Sequence, residues 1–288
     1  MNKLHAISFD VEEFFQVANL RGHFGRDDWD EVPSRIDVGM DAILRALAKH
    51  DAHATFFFLG WVAERRPDLV RRCLDEGHEV GSHGYEHLFL QDIGSPDALA
   101  EDLGRTEEAL VAAGAPKPIG FRASTFTLTR QTWWAFDVLA EREYAYDSSV
   151  HPVRHPVYGV PDFEPGISVV ETEKGGRVVE FPVSTWPMMG RNLPVGGGGY
   201  FRLLPGAVTR AAVRGLEKRG RSACLYLHPW EFDPTQPQVP APAWKKFRHY
   251  LNLERTLPRL EALLASARFG SLAEVLEAEG YLPTAAER

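Results

Sequence analysis

Short β-rich runs alternate with amphipathic stretches along most of the chain, and this alternation restricts the fold more than any other feature. "LHAISF" (4–9) reads as a strand, and residues 35–50 place Ile36, Met40, Ile43, Leu44 and Leu47 at helical spacing. "ATFFFLG" (54–60) is a second strand. A helix follows, with Pro67 near its start and Gly77 just past its end. "HEVGS" (78–82) is a third strand, and Ser95-Pro96 opens a helix as N-cap and first helical residue. "IGFRA" (119–123), a helix over about 129–141 and "YAYDSS" (144–149) continue the rhythm. Strands separated by helices predict parallel βαβ units.

The pattern breaks over about 151–200. "ISVVETEKGGRVVEFPVS" reads as a hairpin turning at Lys174-Gly175-Gly176, and "PVGGGGY" as a flexible loop. A helix (205–218), the strand "SACLYLH" (222–228) and two helices (253–267 and 272–279) complete the chain. With no internal repeat or long linker, residues 1–288 read as a single domain, with a core over about 5–230 and a C-terminal helical extension over about 240–288. The expected fold class is α/β, a parallel-stranded barrel with a β-hairpin insertion and C-terminal helices.

The formal net charge of −8 and the lack of any basic run argue against a nucleic-acid partner. Cys73 and Cys224 stand far apart in apolar segments, which suits buried free thiols and neither a disulfide framework nor a thiolate metal site. There is no apolar run long enough to span a bilayer, and residues 1–15 lack a basic region followed by an apolar one. A soluble, cytoplasmic protein is the expectation.

In parallel α/β folds reactive groups collect where strands end. Four such ends stand out: "SFDVEE", "GSHGYEH", "FRAS" and "LYLHPW". His83 and His87, as an i,i+4 pair on one helical turn, could aim two imidazoles at one metal; two loop histidines without a ligand are the alternative. The strand period of two puts Asp10 and Glu12 on one side and Phe9 and Val11 on the other. Adjacent carboxylates need an offsetting cation, unless they sit in an exposed acidic loop. Arg122 reads either as a clamp on a carboxylate or as a rim salt bridge. His228 reads either as a general acid or as a capped strand end.

Together these stretches resemble the polysaccharide deacetylases of carbohydrate esterase family 4, the NodB-homology domain. "SFDVEE", "GHEVGSHGYEH", "GFRAS", "YAYDSS" and "LYLHPW" resemble the family's five motifs in order, over about residues 5–230. The D-x-E variant, "GGGGYFRLLP" and "HPWEFDPTQP" resemble most nearly the deacetylases of bacterial exopolysaccharide loci. The resemblance implies a distorted, incomplete (β/α)7-type barrel and a divalent metal, usually Zn2+. It also implies a carbohydrate substrate carrying N-acetylhexosamine units, within a polymer or its lipid-linked precursor. By position, His83 and His87 become metal ligands, Asp10 the base, Arg122 its holder and His228 the general acid, with Asp147 orienting or tuning His228. Two departures stand out. Val11 occupies the place of the usual metal-binding aspartate, and the pleat nominates Glu12 instead. Ser124 replaces the usual proline after Arg122. Three rivals are a hydrolase of small cyclic imides or ureides, a peptidase of the H-x-x-E-H pattern, and a sugar-binding protein whose metal site has decayed at Val11. The helix-poor Gly81, Ser82 and Gly84 speak against the peptidase.

Overall fold

Strand β1 (Leu4–Val11) shows how the barrel is built. Ile7, Phe9 and Val11 belong to the large buried cluster that also contains Ile36, Met40, Ile43, Leu44 and Leu47 of helix α1 (Ile36–Lys49). The alternate residues Ala6, Ser8 and Asp10 face the other side of the sheet, where Ala6 meets Phe57, Tyr146, Phe181 and Cys224. The chain is described by a computed structural model over residues 3–188 and 190–287.

The remaining elements follow in order: β2 (Thr55–Phe58), α2 (Gly60–Arg65), α3 (Pro67–Asp75), β3 (Glu79–Ser82), α4 (Leu90–Ile93), α5 (Pro96–Ala112), β4 (Gly120–Phe121), α6 (Ala135–Glu141) and β5 (Tyr146–Asp147). Then come β6 (Ser168–Glu171), β7 (Arg177–Glu180), β8 (Thr185–Met188), β9 (Arg191–Pro194), α7 (Gly198–Leu203), α8 (Gly206–Lys218) and β10 (Cys224–Leu227). The chain ends with α9 (Ala243–Tyr250), α10 (Thr256–Leu264), β11 (Arg268–Gly270) and α11 (Leu272–Ala278). The sheet order is β10-β1-β2-β3-β4-β5-β7-β6; neighbours run parallel except β6, which is antiparallel to β7. This is the expected distorted, incomplete barrel. Among the described residues no strand pairing joins β7 to β10. Irregular backbone bridges that gap instead: Ser184 N–H donates to Cys224 O at 3.0 Å and Tyr226 N–H to Gly196 O at 2.8 Å.

The expected hairpin forms as β6–β7, and β7 continues the sheet by pairing in parallel with β5. A second hairpin, β8–β9, was not visible in the sequence pattern. The glycine run is not a flexible loop. Gly197 and Gly198 have φ of 142° and 53°, and Gly198 begins α7. A Cβ at Gly197 would lie 1.8 Å from the Tyr226 carbonyl oxygen, and one at Gly198 2.6 Å from the Tyr226 hydroxyl. These glycines serve close backbone approach across the barrel gap. The C-terminal region is more than a helical extension, because β11 pairs with β1 at Leu4–Ala6. Cys73 and Cys224 are buried and free. No helix among the described residues is long and apolar enough to cross a membrane.

His151 is buried with neither ring nitrogen hydrogen-bonded, stacked on Tyr158 at 5.6 Å and edge-on to Phe126. Burial lowers its pKa to about 3. The unfolded chain takes up the proton first as pH falls below about 6.5, so stability is lost on acidification. His151→Phe, which keeps the ring packing, is expected to remove about 2 kcal/mol of the stability lost between pH 7 and pH 5. Urea titrations at the two pH values measure it.

Candidate functional site

The C-terminal ends of β1, β3, β4 and β10 open into one cleft of about 470 Å³, lined among others by Asp10, Glu12, His83, His87, Tyr226 and His228. Arg122 lies beneath this cleft, fully buried. Six of the seven residues singled out in the sequence therefore converge; Asp147 is the exception.

Asp10 and Glu12 both turn into the cleft, while Val11 between them packs in the apolar core. The strand ends here in a tight turn, with Glu12 N–H donating to Asp10 O at 3.0 Å. Glu13 points elsewhere. Its carboxylate accepts from Ser34 Oγ and, at 3.2 Å, from Arg35 N–H.

His83 and His87 sit on a loop and not on a helical turn. Gly84 and His87 adopt positive φ, 74° and 54°, which breaks any helix after β3. The loop still brings the two rings to 5.3 Å between centroids. His83 Nδ1 lies 2.7 Å from the Arg122 carbonyl oxygen. That contact requires Nδ1–H to donate and leaves the Nε2 lone pair free. Burial lowers the His83 pKa to about 4, so the ring is neutral near pH 7. His87 Nε2 lies 3.0 Å from Glu12 Oε2. Burial pushes the Glu12 carboxyl up, but His87, His228 and His83 outweigh it and hold it down at about 2. One donor atom each from Glu12, His83 and His87 lies within 4.8 Å of the others. Two imidazoles and a carboxylate, all three buried, form a donor set that fits a divalent metal.

Arg122 is held on four sides. Its Nη1 donates to Asp10 Oδ1 at 2.8 Å and to Ser8 Oγ at 2.6 Å; its Nε and Nη2 donate to Ser148 O and Oγ. The other Asp10 oxygen, Oδ2, faces His228 Nε2 at 3.8 Å, and Glu12 Oε1 lies 3.6 Å from the same nitrogen.

The group that orients His228 is Glu231, not Asp147. Asp147 accepts from Ser149 Oγ and N–H, and it faces Glu180, its register partner on β7. Burial, with the neighbouring carboxylate, raises Glu180 well above the usual range, so the pair shares a proton. Glu231 Oε2 lies 2.9 Å from His228 Nδ1 and also accepts the His228 backbone N–H at 3.0 Å. Its Oε1 accepts from buried Arg202 Nε at 2.6 Å, and Arg202 in turn donates to the carbonyls of Arg248, His249 and Leu251. Burial opposes a charged His228, but Glu231, Glu12 and Asp10 raise its pKa to about 9. Gly39 of α1 lets this turn pack closely, since a Cβ there would meet the Pro229 carbonyl oxygen at 1.9 Å. The histidine–glutamate spacing of three in "HPWE" was the available sequence signal for Glu231. Arg202, 29 residues from Glu231, had none.

Two family models match the chain. Residues 29–140 match "Polysaccharide deacetylase", and residues 148–277 match "Domain of unknown function (DUF3473)". An uncharacterized 30.6 kDa protein of Geobacillus stearothermophilus is 32% identical over 173 residues, covering 50% of this chain and 64% of that protein. A peptidoglycan-N-acetylglucosamine deacetylase of Bacillus cereus is 39% identical over 94 residues, 30% of this chain and 34% of the relative. A chitooligosaccharide deacetylase of Rhizobium leguminosarum bv. trifolii is 44% identical over 71 residues, 25% of this chain and 33% of the relative. The chain thus spans less than two thirds of each of these relatives. Among solved structures, a Mycobacterium smegmatis protein assigned as a polysaccharide deacetylase superposes with a TM-score of 0.63 at 18% identity, covering 96% of this chain and 91% of that one. A family 4 carbohydrate esterase of Streptomyces lividans, in complex with acetate, gives 0.50 at 18% identity, with 92% and 88% covered. At that identity the two structures speak for the shared fold alone. The family model over residues 29–140, the sequence matches to deacetylases and the shared fold agree: this chain is similar to the polysaccharide deacetylases.

Proposed function

We propose that this chain is a metal-dependent N-deacetylase, acting as one unit on N-acetylhexosamine residues of a bacterial exopolysaccharide or its lipid-linked precursor. The observation that carries this reading is the meeting of a Glu12/His83/His87 donor set with the Asp10–His228 pair in one cleft. Glu12, His83 and His87 would hold the metal. Two imidazoles and one carboxylate favour Zn2+. When bound, the metal supplies a Lewis acid and a water of lowered pKa.

Asp10 is the base and accepts the water proton at Oδ2. Arg122 fixes Oδ1, so the carboxylate is held in place and aimed. His228 is the general acid and delivers a proton from Nε2 to the departing nitrogen. Glu231, on the opposite ring nitrogen, fixes the tautomer and stabilises the imidazolium. The amide carbon gains an oxygen from water and loses nitrogen, giving acetate and a free amino sugar.

Protein purified without chelator is expected to carry about one divalent ion per chain, by elemental analysis. The His83→Ala/His87→Ala double variant should carry none. Glu12→Gln should weaken metal binding at least about tenfold, because loss of a direct ligand costs no less than loss of an outer-shell partner. Glu13→Gln should leave it unchanged. Acetate and primary amines released from N-acetylglucosamine oligomers, with cyclic imides as the competing substrate class, test the reaction itself.

A further inference from the structure

We infer that helix α9 is a docking face for an anionic lipid surface at the mouth of the cleft. In its sequence, "AWKKFRHY", Trp244, Phe247 and Arg248 fall on one helical face, and each is exposed. Trp244 is 57% and Phe247 58% exposed, and neighbouring Leu203, which shares the cleft lining with Phe247, is 51% exposed. Large apolar side chains scattered singly over a surface need no explanation, but two adjacent aromatics beside a third apolar residue do.

The charge around them identifies the occupant. The protein carries a net charge of −8 and 40 acidic residues, yet no Asp or Glu occurs between Asp233 and Glu254. Within that stretch Lys245, Lys246 and Arg248 form no ion pair among the described residues. Among the described residues, the one patch of this acidic protein that combines free cations with exposed Trp and Phe suits a surface that is negative outside and apolar beneath. An aromatic-and-basic helix lying in the headgroup region meets both conditions. A Trp ring flanked by a lysine, with Lys245 Nζ 5.7 Å from the Trp244 ring, is amphipathic in the same sense.

The helix is rigid enough to serve as a platform. Its C-terminal carbonyls are gripped by Arg202, and Tyr250 Oη donates to Pro237 O at 2.9 Å. His249 stacks on Trp230 at 4.4 Å, and Asn19 Nδ2 donates to Lys245 O at 2.9 Å. The approach, "PTQPQVPAP", is stiffened by four prolines. Trp244 does not line the cleft, so a saccharide held in the cleft does not account for its exposure. Docking on α9 would set the cleft mouth against the bilayer.

The test uses the whole protein without substrate, so its failure is distinguishable from failure of the deacetylase reading. Co-sedimentation with phosphatidylcholine vesicles containing phosphatidylglycerol is expected to exceed that with pure phosphatidylcholine by at least about tenfold and to fall as salt rises. Trp244→Ala and Lys245→Glu/Lys246→Glu should each lose at least about tenfold in vesicle binding, with circular dichroism, metal content and turnover of soluble oligosaccharide unchanged. Equal sedimentation with both vesicle types, no sedimentation with either, or vesicle binding unaltered in both variants would overturn the proposal. So would a raised KM for soluble oligosaccharide in Trp244→Ala with vesicle binding intact, which would make α9 a sugar track.

Discussion

Asp10→Asn is expected to lower deacetylation about 10²- to 10⁴-fold, the range that a positioned base contributes, while the metal stays bound. Asparagine keeps the size of the side chain and an oxygen for Arg122, but it cannot take a proton. The same change leaves Arg122 buried beside a neutral group. Removing one partner of a buried ion pair costs on the order of 3–5 kcal/mol, and Arg122 is fully enclosed at 0% exposure. Part of that cost is absorbed by Ser8 and Ser148, which also accept from the guanidinium. The variant should therefore melt earlier yet remain folded at assay temperature. Unchanged metal content by elemental analysis, set beside lost turnover, separates a base from a ligand. If Asp10→Asn loses the metal and Glu12→Gln keeps it, the two carboxylates have been assigned the wrong way round.

His228→Ala should cost a similar factor, and Glu231→Gln about two orders of magnitude or more, as for an orienting carboxylate in a triad. The informative variant is the double one. If Glu231 acts only through His228, His228→Ala/Glu231→Gln is no slower than His228→Ala alone, a complete failure of additivity. Additive losses would show that Glu231 matters through the turn it caps or through Arg202, and not through the imidazole. Arg202 retains three carbonyl acceptors when Glu231 loses its charge, so the C-terminal segment should stay in place. Arg202, His228 and Glu231 all lie within the part of the chain matched by the model of unknown function. On this account, that part completes a site whose metal ligands and base come from the first half.

Much of this site was legible because strand ends and strand period are local properties. The period of two separates Val11, in the core, from Asp10 and Glu12, in the cleft, without any knowledge of the rest of the chain. The convergence of four strand ends follows from parallel βαβ order. What failed was local extrapolation of geometry. The i,i+4 spacing of His83 and His87 suggested a helical turn, but glycine at 84 and a left-handed His87 build a loop that brings the rings together by another route. Asp147 was paired with His228 only by the family resemblance. Its register partner Glu180 faces it instead, and this pairing is set by a strand 33 residues away in sequence. The glycine run read as flexible from its composition. Contacts with Tyr226 reverse that reading, because only residues lacking Cβ fit beside its backbone and ring. Arg202 illustrates the general limit: a long-range ion pair inside a closed core leaves no periodic trace.

The proposed amide hydrolysis needs both the metal set and Asp10. The most direct test is to load the purified protein with Zn2+ and follow acetate and new primary amines from N-acetylglucosamine oligomers, in parallel with Asp10→Asn loaded to the same metal content. Equimolar acetate and amine from the wild type, reduced about 10²- to 10⁴-fold in Asp10→Asn, is the predicted result. Ring opening of a cyclic imide with no acetate from any N-acetylated saccharide, or equal acetate release from both proteins, would contradict it.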